Sequence, residues 1–149
     1  MIRKILEHFE KIGVDVIYNK EEDEHSFEFY AYFDLFEAKV QITVDQNTNN
    51  LSCECNITGF PYAEIELYEA INMLNKDSLY FKAYYNNIFE EVRLISNQIY
   101  NDNNILYIID LLLESLISTE IEYIKNIYKY SHDRIPDDIK KIIDDSIEE

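Results

Sequence analysis

Residues 36–58, FEAKVQITVDQNTNNLSCECNIT, decide the fold. In the first half Phe36, Ala38, Val40, Ile42 and Val44 alternate with Glu37, Lys39, Gln41, Thr43 and Asp45, the two-residue period of a strand with one buried face. In the second half Leu51, Cys53, Cys55 and Ile57 alternate with Ser52, Glu54, Asn56 and Thr58. Asn47, Thr48, Asn49 and Asn50 lie between them, and Asn tolerates the positive φ that tight turns demand. The stretch reads as a strand, a turn and a returning strand, with an apolar inner row and a polar outer row.

Upstream, Phe27, Phe29, Ala31 and Phe33 alternate with Glu28, Tyr30 and Tyr32, which extends the sheet. An acidic loop and a short extended piece around Val14 to Tyr18 precede that strand. Ile2, Ile5, Leu6, Phe9 and Ile12 recur at helical spacing, and Gly13 can end this first helix, over about residues 2–12, in a left-handed conformation. Downstream, Gly59, Phe60 and Pro61 stop the returning strand. Leu67, Ala70, Ile71 and Leu74 then predict a second helix over about 62–75.

Leu79, Phe81, Ala83 and Tyr85 alternate again, Asn86 and Asn87 suit a two-residue hairpin loop, and a further strand carries Val92 and Leu94. Asp102, Asn103 and Asn104 offer caps for a third helix over about 105–130. Its polar residues fall on one narrow stripe, so its apolar remainder predicts contacts on two sides. Past Ser131, Pro136 can open a short helix carrying Ile139, Ile142, Ile143 and Ile147. The expected architecture is α+β: one antiparallel sheet with helices packed on it, in the order α-β-β-β-α-β-β-α, plus a short C-terminal helix. Residues 1–131 form one domain, and residues 132–149 an acidic appendix.

Thirteen basic residues against thirty acidic ones give a net charge of −17, which repels phosphate backbones and anionic headgroups. Neither nucleic acid nor membrane is an expected partner. The acids serve as a solvated face, as steering toward a basic partner, or both. A third possibility, mimicry of nucleic acid, requires a regular array of carboxylates on one face. The window from Ile105 to Ile117 is interrupted by Asp110 and Glu114 and is too short to span a bilayer. With no basic segment leading an apolar one at the start, a cytoplasmic location is expected.

Only Gly13 and Gly59 are present, so phosphate-binding loops, dinucleotide fingerprints and nucleophile elbows have no glycines to build on. Cys53 and Cys55, with His8, His25 or His132, are the available zinc-type ligands. Cys-x-Cys alone lacks the paired clusters of a structural site, and two small core residues is the competing reading. Thirty acids guarantee carboxylate pairs without singling out a general acid. No catalytic constellation is legible and no cofactor is expected.

A surface argument remains. If the rows beginning at Phe27, Phe36, Leu51 and Leu79 face the helices, then Tyr30, Tyr32, Tyr80 and Tyr84 occupy the opposite face of the sheet. Tyrosine there reads either as cross-strand pairing on a wet face or as an interface, because its ring buries area while its hydroxyl keeps a partner. With Ile117, Ile124 and Tyr128 on the third helix, these tyrosines form the candidate protein-binding surface.

The element order, a helix closing with Ala70, Ile71, Asn72, Met73, Leu74 and Asn75, and the stretches Leu79 to Tyr85 and Glu91-Val92-Arg93-Leu94 resemble the YbjN family, labelled putative sensory transduction regulators. The resemblance covers about residues 2–130, and its motif specifies a shape more than an activity. That fold is similar to the class I chaperones of type III secretion, which are small, acidic, cytoplasmic homodimers that hold an extended segment of a client. The appendix after Ser131 departs from the pattern. The resemblance implies a non-enzymatic protein-binding module, chaperone-like or regulatory, dimeric and binding a polypeptide client. The alternative is a small-ligand or metal-binding sensor built around Cys53, Cys55 and Phe60.

Overall fold

The computed structural model describes residues 1–32, 37–58, 65–120 and 145. Helix α1 (Ile2–Lys11) is followed by strands β1 (Ile17–Glu21), β2 (Glu24–Tyr32), β3 (Glu37–Asp45) and β4 (Asn50–Thr58). Helix α2 (Ile65–Asp77), strands β5 (Lys82–Asn86) and β6 (Glu91–Ile99), and helix α3 (Ile105–Ser115) complete the order, with α3 running on as π-helix over Leu116–Glu120. The strands form one six-stranded sheet in the order β1-β2-β3-β4-β6-β5, every pair antiparallel. This is the α+β architecture expected from the alternation, with one addition: four strands precede α2 because Ile17–Glu21 pairs with β2 across the Glu22–Asp23 turn.

The alternation of residues 36–58 maps directly onto burial. Ala38, Val40, Ile42, Val44, Leu51, Cys53, Cys55 and Ile57 are buried, and register places Ile42 opposite Cys53 and Val40 opposite Cys55. Strand β6 pairs with β4 so that Val92 and Leu94 join this row. All three helices press on it. Phe9 of α1 sits 5.8 Å from Phe27, Tyr68 of α2 meets the edge of Tyr85 at 6.2 Å, and Ile105, Ile109 and Leu112 of α3 are buried in the same core. His8 Nε2 donates to Asp110 Oδ1 at 2.6 Å, tying α1 to α3.

Helix α1 ends as its sequence requires. Gly13 adopts φ 79°, its N–H reaches Glu10 O at 3.1 Å and the N–H of Val14 reaches Phe9 O at 2.9 Å, a Schellman closure that satisfies the last carbonyls.

Three local expectations are corrected. Leu79 does not begin an inward row: it precedes β5 and is 87% exposed, while Tyr80 is half-buried against the core. The chain is still leaving α2 there, with the Phe81 N–H donating to Ser78 Oγ, so strand alternation starts at Phe81. The β5–β6 loop is four residues long, since Asn86 pairs with Glu91; Asn86 Oδ1 accepts from the Ile88 and Phe89 N–H groups, and positive φ falls on Glu90. Asn104 is the N-cap of α3 without a side-chain cap: its Oδ1 accepts from the Asn101 N–H instead. The α-helical part of α3 closes at Ser115. The expected remainder of that helix, the C-terminal helix and the appendix from 132 fall outside the described residues, apart from helical Asp145.

The two margins of the sheet differ. At β5, Asn75 of α2 stands in for a neighbouring strand: its Nδ2 donates to Ala83 O at 2.8 Å and its Oδ1 accepts from the Ala83 N–H at 2.5 Å. At β1, all five residues are exposed, and among the described residues no side chain caps the outward backbone.

Candidate functional site: the open face of the sheet

The outer rows carry no helix-facing apolar set. Antiparallel register aligns Tyr30, Lys39, Asn56, Arg93 and Tyr84 across β2, β3, β4, β6 and β5. Toward one end the next row is Tyr32, Glu37, Thr58, Glu91 and Asn86. The β5–β6 loop lies at that same end and presents exposed Ile88 and Phe89. Tyr30, Glu37, Lys39, Asn56, Thr58, Phe89, Glu91 and Arg93 enclose a depression of about 310 Å³.

Arg93 organises the site. Its Nε donates to Glu91 Oε1 at 2.5 Å, its Nη1 donates to Tyr84 Oη at 3.3 Å and lies 3.9 Å from Glu54, and its guanidinium stands 5.5 Å from the centre of the Phe89 ring. The bonds to Tyr84 and Glu91 push its pKa above the already high value of an arginine, so the charge is permanent. Glu91, only 6% exposed, is the sole buried residue in the outer rows among the described residues, and the arginine is what makes its burial tolerable. Lys39 pairs with Glu28 at 3.4 Å, and the Tyr30 hydroxyl donates to the same carboxylate, which raises the Tyr30 pKa.

Two acceptors at the site are unmet among the described residues. Asn56 Oδ1 is buried with no hydrogen-bond partner, a deficit worth roughly 1–3 kcal/mol. Glu37 has no ion pair, although the other acids nearby are matched to Lys39 or Arg93.

Of the sequence-predicted surface, Tyr30, Tyr32 and Tyr84 lie on this face, with Tyr32 77% exposed. Tyr30 and Tyr84 stand on strands about 19 Å apart, four strand spacings, so they flank the site without touching. Tyr80 is not on the face. Ile117 is exposed in the π-helical segment after α3, away from the tyrosines in the chain's other layer. Ile124 and Tyr128 fall outside the described residues.

The sequence did not point to Lys39, Asn56, Phe89, Glu91 or Arg93 as site residues, Glu91 and Arg93 entering only as part of the stretch that carries the family resemblance. Lys39, Asn56 and Arg93 each sit at an outward position of an alternating stretch, which was the available signal. Their convergence depends on β6 pairing with β4 across the α2 crossover, and alternation within one strand carries no information about that pairing.

Among the described residues the cysteines build no site. Both are free and fully buried, and desolvation pushes the Cys53 thiol up to about 12 and the Cys55 thiol higher, so the thiolate needed for metal binding is strongly disfavoured. Among the described residues no three His, Cys, Asp or Glu side chains converge on a point that could hold a metal ion. Phe60 lies outside the described residues. His25 serves structure: its Nδ1 accepts from the Tyr18 hydroxyl at 2.5 Å and its Nε2–H donates to Gln46 Oε1 at 2.9 Å, which pins β1 and the β3–β4 turn to β2. The outer carboxylates interleave with Lys39 and Arg93, unlike the regular array a nucleic-acid mimic needs.

Known families and curated proteins offer this chain no counterpart. Among the described residues no helix is long and apolar enough to cross a membrane. The functional reading therefore rests on the open face.

Proposed function

We propose that this chain is a non-enzymatic polypeptide-binding protein, chaperone-like or regulatory, whose client docks on the open face of the sheet. The observation that carries the reading is the gathering of exposed Tyr30, Tyr32, Ile88 and Phe89 at one end of a face that no described helix covers. Rings around a permanently charged, hydrogen-bonded arginine are the composition of interface hot spots. The net charge of −17 favours a partner of opposite sign and raises its encounter rate. The resemblance to the YbjN family and the secretion chaperones belongs to this proposal, as does a cytoplasmic homodimer. The second copy is placed on the helical layer, where Ile117 is 54% exposed at the end of an apolar helix.

The test uses a photo-crosslinking amino acid at position 32 or 89, with position 107 on the helix side as the control, and reduced, alkylated lysozyme as an unfolded basic polypeptide. Tyr107 is as exposed as these positions, so accessibility is matched. Crosslinking from 32 and 89 well above that from 107 is the expected result. Equal yields from both sides, or none, would refute the docking face. Light scattering should return twice the chain mass for the wild type and the single mass for Ile117→Lys; a monomeric wild type removes the homodimer from the reading.

A further inference from the structure

The depression beside Tyr30 and Phe89 is lined by two carboxylates, Glu37 and Glu91, and two cations, Lys39 and Arg93, and the ion-pair network reaching behind it adds Glu28 and Glu54, so that carboxylates outnumber cations four to two. Glu28, Glu37, Glu54 and Glu91 face Lys39 and Arg93, both cations are already engaged, and Glu37 is unpaired among the described residues. Asn56, in the row between Lys39 and Arg93, keeps its Oδ1 buried without a donor. Aromatic rings stand on two sides, Tyr30 from β2 and Phe89 from the β5–β6 loop. An unpaired, exposed carboxylate in a net-acidic network and aromatic walls together describe a receptor for an organic cation. An anion is poorly served, because the guanidinium is spent on Glu91, Tyr84 and Glu54.

We propose that this depression receives the side chain of a lysine or arginine presented by the docked polypeptide. Its cationic head approaches the exposed carboxylate of Glu37, and its methylene stem lies between Tyr30 and Phe89. The inference deepens the docking reading and rests on it. It supplies the partner chemistry: a polypeptide with a basic residue at the point of contact.

The experiment titrates the full-length, nitrogen-15-labelled protein with N-acetyl-lysine-N-methylamide and its arginine counterpart. N-acetyl-norleucine-N-methylamide, similar in length and uncharged, is the control. Saturable shifts of the Asn56 side-chain amide and the Arg93 Nε–H with either cationic compound, absent with norleucine, are expected. Phe89→Ala should weaken this binding about two- to five-fold, the loss of one exposed cation–ring contact. Glu37→Gln, which alters an exposed side chain and leaves the core alone, should also weaken it, and added salt should mimic that effect. Equal responses to norleucine, shifts confined to other residues, or no response overturn the inference. Failure here with side-selective crosslinking intact removes the cation receptor alone; loss of both removes the docking face.

Discussion

Asn75 shows how a single amide replaces a missing strand. The two hydrogen bonds it makes to the Ala83 backbone are those a β-ladder would supply, so Asn75→Ala leaves a donor and an acceptor unpaired at the β5 margin. A loss of about 1–3 kcal/mol in urea unfolding is expected, with more aggregation on storage as the margin opens. A second prediction concerns the thiols. Burial raises the pKa of Cys53 from 9.0 to about 12 and raises that of Cys55 further, and Tyr85 and Tyr100 shift the same way. The folded chain thus keeps these protons at pH values where the unfolded chain has lost them. Their stabilisation is complete below the unfolded pKa and disappears as pH rises toward the folded value, at about 1.4 kcal/mol per pH unit for each thiol. Urea midpoints should fall steeply above pH 9, and a thiol reagent at pH 8 should label neither cysteine until the protein is unfolded. The burial of both thiols was legible from Leu51-x-Cys53-x-Cys55-x-Ile57, because a strand's period alone assigns the face. The role of Asn75 was not, because it depends on where α2 comes to rest against β5.

At the scale of elements, β3, β4 and α1 were the most legible because each carries its own punctuation. Gly13 is the clearest case. No atom lies within 4 Å of a Cβ built there, so Gly13→Ala meets no clash, and its cost is the left-handed backbone alone, about 1–2 kcal/mol. Thermal or urea unfolding checks the value, and an unchanged stability would mean that the Schellman closure does not hold α1. The misreadings share a cause. At Leu79 the alternation of apolar residues continued past the strand into the exit from α2, where Ser78 rather than a β-partner holds the Phe81 N–H. At Asn86-Asn87 the sequence offered two asparagines for a tight loop, but Asn86 uses its side chain to build a longer one. In both places a side-chain hydrogen bond outcompeted the pattern that periodicity detects.

Across the whole molecule, charge is the dominant unbalanced term. Thirty acids against thirteen bases repel one another in the compact state, and this cost is screened by salt. Between about 0.01 M and 1 M NaCl, as the Debye length shrinks from about 30 Å to about 3 Å, the melting temperature should climb, which scanning calorimetry measures directly. A flat profile would mean that pairs such as Lys39–Glu28 and Arg93–Glu54 already absorb the repulsion. The open face was half legible at this scale. Its tyrosines followed from alternation, whereas the arginine-centred depression required the order β4-β6-β5, which no local pattern encodes.

The unlike margins of the sheet have one more consequence. Growth of β-structure into fibres needs two sticky borders, so that each newcomer offers the next one a place. Here the amide of α2 seals one border, and a strand joining at β1 finds a molecule that cannot pass the favour on. Chain-to-chain pairing through the sheet therefore stops at a couple, and the molecule is protected from becoming part of a filament.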